Sequence, residues 1–211
     1  MIDKIVLEAC VESFQEALKA ESLGANRIEL CAELNVGGTT PSYALLQSVM
    51  KELNIPVMVM IRPRGGNFVY DTMELKTMKQ SIAICKSLGV TGVVFGLLDE
   101  QNNIDVEKTK NLTEYAAPLE VTFHKAIDET NDIRKAVMDL KQVKGITRIL
   151  TSGGKQTALE GADQINEMIR TAGDFCKVLA AGRITNKNLD KMSEILHTDE
   201  FHGRKIVGVL N

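Results

Sequence analysis

The chain has 211 residues, a formal net charge of −3 and a hydrophobic content of 44%. This size and composition fit one domain over residues 1–211, with a sizeable core. Charged residues are spread without long like-charge blocks, which argues against partners such as nucleic acid or an anionic membrane. No apolar run approaches the length of a membrane span and no leader precedes the first strand-like segment, so we expect a cytoplasmic protein.

The chain alternates between strand-like and helix-like segments from its start to its end. Strands are predicted at residues 4–11, 27–32, 55–61, 91–98, 119–126, 148–152, 176–181 and 200–203. Helices are predicted at residues 13–23, from 40, at 71–88, from 105, at 132–143, from 157 and at 186–196. Polar or proline residues mark several helix starts: Thr40 with Pro41, Asp71 with Glu74, and Thr157.

Eight strands with a helix after each of the first seven are typical of a TIM-type (β/α)8 barrel. The few residues after the last strand predict that the eighth helix is short or missing. A doubly wound open sheet has the same local alternation, and it is the alternative fold.

The end of the third strand suggests an anion site. Arg62 and Arg64 follow a continuous apolar run and precede Gly65 and Gly66. In α/β folds ligands bind at the carboxyl ends of the strands, so the two arginines are candidate substrate-binding residues. The alternative is that they pair with neighbouring carboxylates and that the glycines only turn the chain.

The fifth strand places a histidine at the same end. Glu120, Thr122 and His124 alternate with apolar residues, so this polar set should face the barrel axis. His124 is therefore a candidate general acid or base. The alternative is a structural histidine that is hydrogen-bonded to a carboxylate.

The first two strands share a short pattern. Glu8 precedes Cys10 by two residues, and Glu29 precedes Cys31 in the same way, so all four side chains should point inward. Two thiols on neighbouring strands suit one soft metal ion such as Cu(I), with methionines of the third strand nearby. The alternative is that these cysteines are small buried core residues.

The two glutamates suggest a second arrangement. Beside Arg62 and Arg64, Glu8 and Glu29 would form either a buried ion-pair network or a catalytic acid/base pair. Together with His124 they make one candidate constellation at the barrel mouth.

Two later loops are candidates for phosphate binding. Ser152 and Gly153 follow the sixth strand, and Arg183 follows the seventh. Backbone amides at helix starts bind phosphate in many barrels, although the usual site lies after strands seven and eight.

Several segments resemble those of one family. They are Ile28-Glu29-Leu30-Cys31, Ile61-Arg62-Pro63-Arg64-Gly65-Gly66, Val121-Thr122-Phe123-His124-Lys125-Ala126, Leu150-Thr151-Ser152-Gly153 and Glu200-Phe201-His202-Gly203. In this order they closely resemble the CutC family, which is named for copper homeostasis. The resemblance implies a cytosolic TIM-like barrel, often oligomeric, with Cu(I) bound at Cys10 and Cys31.

Two functions of different class follow. The first is a copper homeostasis protein whose partner is the copper ion. The second is an enzyme on a phosphorylated or carboxylated metabolite, with Arg62 and Arg64 binding the anion and His124 acting with Glu8 or Glu29. In either case a homodimer or higher homo-oligomer is expected.

Overall fold

The computed structural model describes residues 5–210, in which eight parallel strands close into a barrel in chain order. The strands are β1 (Val6–Val11), β2 (Arg27–Leu30), β3 (Val57–Met60), β4 (Gly92–Phe95), β5 (Glu120–Phe123), β6 (Ile146–Thr151), β7 (Lys177–Ala180) and β8 (Glu200–Gly203). Closure by the β1–β8 pair excludes the open doubly wound sheet and confirms the predicted barrel.

Helices follow the first seven strands and surround the barrel. They are α1 (Phe14–Ser22), α2 (Tyr43–Glu52), α3 (Thr72–Leu88), α4 (Val106–Ala116), α5 (Ile133–Leu140), α6 (Ala162–Ala172) and α7 (Leu189–Ile195). Between β8 and residue 210 the described chain forms turns and the bridge residue Lys205 but no helix, which agrees with the prediction of a short or missing eighth helix. Within residues 5–210, no helix combines the length and the apolar character needed to cross a membrane.

Most predicted boundaries agree with the structure, and α3 agrees best. The Asp71 side chain accepts from the Glu74 backbone N–H at 2.8 Å, and Glu74 accepts from the Asp71 N–H at 2.9 Å, which completes the predicted capping box. The predicted β8 is also confirmed. The start of the first strand was predicted at residue 4, which lies outside the described residues.

Two predicted helix starts are wrong. The N-cap of α2 is Ser42, because the hydroxyl of Thr40 accepts from the Arg62 backbone N–H at 2.8 Å and thereby joins the loop after β3. Thr157 forms hydrogen bonds with Glu160, yet α6 begins only at Ala162. The intervening turn is held to the loop after β7 instead.

The strand residues divide into two sets that form separate layers. Side chains such as Ala9, Val11, Ile28 and Leu30 face outward and pack into the large core between strands and helices. The alternate set faces the barrel axis, where the upper interior contains Cys10, Cys31, Met58, Met60 and Val94. This two-residue alternation follows from the pleat of the strands.

An ion-pair network fills the amino-terminal half of the barrel interior. Arg27 pairs with Glu8 and, at 2.6 Å, with Glu200. Arg148 pairs with Glu200 at 2.8 Å and with Glu120. Buried charges require such partners, so loss of one member leaves others uncompensated.

Candidate functional site

A cavity of about 120 Å³ opens at the carboxyl end of the barrel strands. Its lining includes both interior cysteines, Glu29, His124 and His202. A larger surface depression of about 530 Å³ lies at the opposite end, beside the start of β6 and β7. Ligands of TIM barrels bind at the carboxyl face, so the smaller cavity is the candidate site.

Three potential metal ligands meet at the floor of this cavity. The Sγ atoms of Cys10 and Cys31 and a carboxylate oxygen of Glu29 all lie within 4.8 Å of one another. All three side chains are buried, and Met58 and Met60 pack against the sulfur atoms. The structure thus brings together the two predicted metal ligands in a dry, sulfur-rich environment.

The two thiols differ in their acidity. The neighbouring Cys31 thiol lowers the pKa of Cys10 to about 5, against the opposing effect of burial and with help from His202. The same contact and burial raise the pKa of Cys31 well above its ordinary value. Cys10 is therefore the thiolate of the pair, and a thiolate is the form that binds a metal.

His202 is a site residue that strand-by-strand reasoning missed. Its Nδ1 lies 2.9 Å from Oε1 of Glu8, and its Nε2 lies 3.6 Å from Oε2 of Glu29. Burial would lower the pKa of His202, but the charge of Glu29 and hydrogen bonds with Cys10 and Glu8 raise it well above its ordinary value. The available signal was the alternation in β8, where His202 shares the inward face with Glu200.

The two predicted catalytic glutamates lie in different surroundings from those expected. Glu8 contacts Arg27 and His202 rather than Arg62 or Arg64. Burial would raise the pKa of Glu8, but these two partners lower it to about 2, so it is a permanent anion of the interior network. Burial and then the charge of Cys10 raise the pKa of Glu29 well above its ordinary value.

Arg62 lines the cavity and is bonded mainly to the surrounding loops. Its guanidinium donates to the backbone oxygens of Val36 and Gly38 at 3.1 Å each and of Gly66 at 2.7 Å. It also lies over the ring of Phe68, 4.7 Å from the centroid. Through its two terminal nitrogens Arg62 holds the loops around the cavity, while its Nε has no hydrogen-bond partner in the described structure.

Arg64 has a similar structural role. It pairs with Glu74 at 2.5 Å and donates to the backbone oxygens of Asn67 and Val69 at 2.9 and 2.8 Å. It also lies outside the cavity lining. The alternative of pairing with a carboxylate therefore describes Arg64, whereas Arg62 donates to backbone oxygens.

His124 has one satisfied ring nitrogen and one unpartnered one. Its Nδ1 accepts from the Ala126 backbone N–H at 3.2 Å, whereas Nε2 is buried without a hydrogen-bond partner in the described structure. Burial, and then the charge of Arg62, lower the pKa of His124 to about 3. The imidazole is therefore neutral at pH 7, and the predicted carboxylate partner is absent from its described contacts.

The predicted phosphate loop already holds an anion, the carboxylate of Asp128. It accepts from the backbone N–H groups of Ser152 and Gly154 at 3.0 and 2.9 Å and from the hydroxyl of Thr151 at 2.5 Å. The Lys125 ammonium pairs with it at 2.5 Å. The donors that would bind a phosphate are thus occupied from within.

Gly153 and Arg183 lie apart from the cavity. The Gly153 N–H donates to the Thr151 hydroxyl at 2.8 Å, so it too is occupied. Arg183 is exposed, has a positive φ of 57°, and does not line the cavity. Of the five predicted substrate-binding residues, the structure places only Arg62 at the cavity, as a structural element.

The fold and site define a class: a (β/α)8-barrel protein with a buried cysteine pair at the carboxyl mouth. The CutC family model matches residues 5–207, and the chain belongs to that family.

Relatives at 40% or more identity span nearly the whole chain. The human "Copper homeostasis protein cutC homolog" is 44% identical over 93% of this chain and 72% of its own length. A "family protein CutC" from Enterococcus faecalis is 40% identical over 96% of this chain and 100% of its own.

Solved structures agree on the architecture. A crystal structure of CutC from Streptococcus agalactiae matches with a TM-score of 0.89 and 32% identity, over 96% of this chain and 99% of that one. The aldolase QR15 matches with a TM-score of 0.73 at 17% identity, over 100% of this chain and 95% of that one. At that identity the likeness to QR15 concerns the fold alone.

Proposed function

We propose that this protein binds Cu(I) through the thiolates of Cys10 and Cys31 at the barrel mouth and serves copper homeostasis. The observation that carries the proposal is the meeting of two sulfur ligands from β1 and β2 within 4.8 Å at the floor of an open cavity. Soft thiolate ligands select Cu(I) over hard ions such as Mg²⁺ or Ca²⁺. The names of the relatives are consistent with this role.

The surroundings of the sulfur pair also fit a monovalent soft ion. Met58, Met60 and Val94 pack against the cysteines, so the site offers few oxygen ligands and little water. A low-polarity environment disfavours a higher ionic charge. The thioethers of the two methionines are the further soft donors beside the pair.

Copper in this proposal is cargo that enters through the cavity. Cys10 is 6% exposed and Cys31 is 0% exposed, so Cys10 is the first sulfur that an incoming ion meets. Transfer then requires that the donor of copper release it to a recessed dithiol. A recessed site protects Cu(I) from solvent once it is bound.

The test is an anaerobic Cu(I) titration of the reduced protein in competition with a strong chelator. The wild type should bind one ion tightly, and the Cys10→Ser/Cys31→Ser double variant should lose that binding while it keeps its thermal stability. The matched control is Cys85→Ser/Cys176→Ser, which removes two thiols distant from the cavity lining and should bind as the wild type does. Equal binding by both double variants would refute the proposal.

We further propose that the protein works in the cytosol as a homodimer or higher homo-oligomer. Free thiols at all four cysteines are typical of reducing compartments. Exposed apolar side chains such as Met73 and Met138, 67% and 52% exposed, offer surface for association. Light scattering coupled to size-exclusion chromatography measures the assembly, and a monomer at micromolar concentration would contradict it.

A further inference from the structure

Three polar atoms of the cavity-lining residues have no hydrogen-bond partner in the described structure. They are Nε2 of His124, Oε1 of Glu29 and Nε of Arg62, and all three residues are more than nine-tenths buried. An unsatisfied buried polar atom costs about 1–3 kcal/mol. Three such atoms on residues of one cavity indicate that a bound molecule completes their hydrogen bonds.

The geometry around His124 defines what its free nitrogen offers. Because Nδ1 accepts a hydrogen bond from the Ala126 N–H, the proton of the neutral ring is on Nε2, which is therefore a donor. The ring is held in place by Phe68, whose centroid lies 4.8 Å away, and by Gly96, where an added Cβ would approach Nδ1 to 2.5 Å. His124 thus presents a rigid N–H donor.

The charge at the cavity wall favours an anion as the acceptor. The ammonium of Lys125 and the guanidinium of Arg62 belong to the same lining as His124. Lys125 pairs with Asp128, whereas Arg62 keeps Nε without a hydrogen-bond partner in the described structure, so both contribute positive potential and Arg62 also one further donor. The acceptor that meets the His124 N–H is therefore best provided by a negatively charged oxygen.

We propose that the mouth cavity binds a small hydroxycarboxylate, whose carboxylate accepts from His124 Nε2 and whose hydroxyl donates to Glu29 Oε1. The volume of about 120 Å³ corresponds to roughly four water molecules, which fits an acid of two to three carbons. Leu34, Met60 and Leu150 supply apolar walls for its carbon atoms. The site stands beside the sulfur pair and does not depend on copper.

A phosphate is a poorer fit than a carboxylate. It needs several donors at once, and the loop after β6 that could supply them already surrounds Asp128.

Glycolate and L-lactate are the probes, and binding is measured by calorimetry on the reduced, copper-free protein. Acetate tests the hydroxyl, and inorganic phosphate tests the class of anion. The wild type should bind glycolate or lactate saturably and at least several times more tightly than acetate. No saturable binding of either hydroxy acid, or tighter binding of phosphate, would overturn the proposal.

Two substitutions of His124 distinguish loss of the Nε2 hydrogen-bond donor from a general loss of folding. His124→Asn keeps an acceptor near the Nδ1 position for the Ala126 N–H but lacks the distal donor, and it should weaken glycolate binding by about tenfold or more. His124→Gln places an amide N–H near the Nε2 position and should retain most of the affinity. Equal affinity in the wild type and His124→Asn would refute the assigned contact.

The cysteine double variant separates this proposal from the copper proposal. Cys10→Ser/Cys31→Ser leaves His124 and Glu29 in place, so it should bind glycolate within a few-fold of the wild type even when it no longer binds Cu(I). Loss of glycolate binding in this variant, with its folding intact, would mean that the hydroxy acid requires the sulfur pair. That result would refute the proposal that the two sites are independent.

Discussion

Replacement of His124 by Asn should make the protein less sensitive to acid. The buried imidazole of the folded protein has a pKa of about 3, because burial and the charge of Arg62 disfavour its protonation. In the unfolded chain the same group titrates near 6.5. Below pH 6.5 the unfolded state therefore binds a proton that the folded state does not bind. The free energy of unfolding consequently decreases as the pH is lowered.

The size of this effect at pH 5 depends mainly on the unfolded pKa. Each unit below that value costs about 1.4 kcal/mol, so 1.5 units cost about 2 kcal/mol. The folded pKa of about 3 lies well below 5, so the ring of the folded protein is still neutral at this pH. Above pH 6.5 the ring is neutral in both states, and the cost vanishes. The decrease continues down to about pH 3 and stops there.

Urea unfolding of the wild type and His124→Asn at pH 7.5 and pH 5 measures the effect, in buffers free of carboxylic acids. The variant lowers stability at both pH values through lost contacts, but this offset does not change with pH. The difference in free energy of unfolding between the wild type and His124→Asn should be about 2 kcal/mol smaller at pH 5 than at pH 7.5. The control is His197→Asn, which makes the same change at an exposed position and should leave the pH dependence of unfolding unchanged. A pH-independent difference for His124→Asn would refute the neutral buried imidazole.

Three further predictions concern other parts of the barrel. Arg27→Met leaves two buried carboxylates short of a partner and should lower the free energy of urea unfolding by about 3–5 kcal/mol. Asp128→Ala frees the amides of the loop after β6, so it should lower stability by about 2–4 kcal/mol and make the melting temperature rise with sulfate more steeply than in the wild type. Burial raises the pKa of Cys85 and of Cys176 to about 12, so iodoacetamide at pH 7.5 should label them far more slowly in the folded than in the urea-unfolded protein, as read by mass spectrometry.

Each of the three has a result that contradicts it. For Arg27→Met the control is Lys51→Met, which removes an exposed ion pair and should change stability by less than about 1 kcal/mol; equal losses would mean that the interior network is energetically unimportant. Sulfate that stabilises the wild type and Asp128→Ala alike would show that no anion site was opened. Rapid alkylation of both cysteines in the folded protein would mean that they are not shielded by burial.

Periodicity and helix-boundary residues predicted the alternation of strands and helices, and the β1–β8 pair decided between the barrel and the open sheet. The eight strands and seven helices of residues 5–210 follow from patterns of a few residues, such as the capping box at Asp71 and Glu74. These are local features, and local sterics and hydrogen bonding decide them. Thr40 was misassigned as an N-cap because its hydroxyl bonds to a backbone that is 22 residues away in the chain.

The strand alternation also placed the cysteines of β1 and β2 on the inner face, and the parallel order of neighbouring strands made their meeting predictable. His202 was missed because its partners come from the other end of the chain. Its contact with Glu8 spans 194 residues and exists only because β8 pairs with β1.

What the sequence determined by itself is therefore the order of strands and helices and the inward-facing residue types. What only the tertiary structure decided is which charges meet. A guanidinium in a glycine-rich loop has the same local pattern whether it binds a ligand or its own protein, and Arg62 turned out to donate to three backbone oxygens. Partner choice depends on distances between segments remote in the chain, and the closure of the barrel sets those distances.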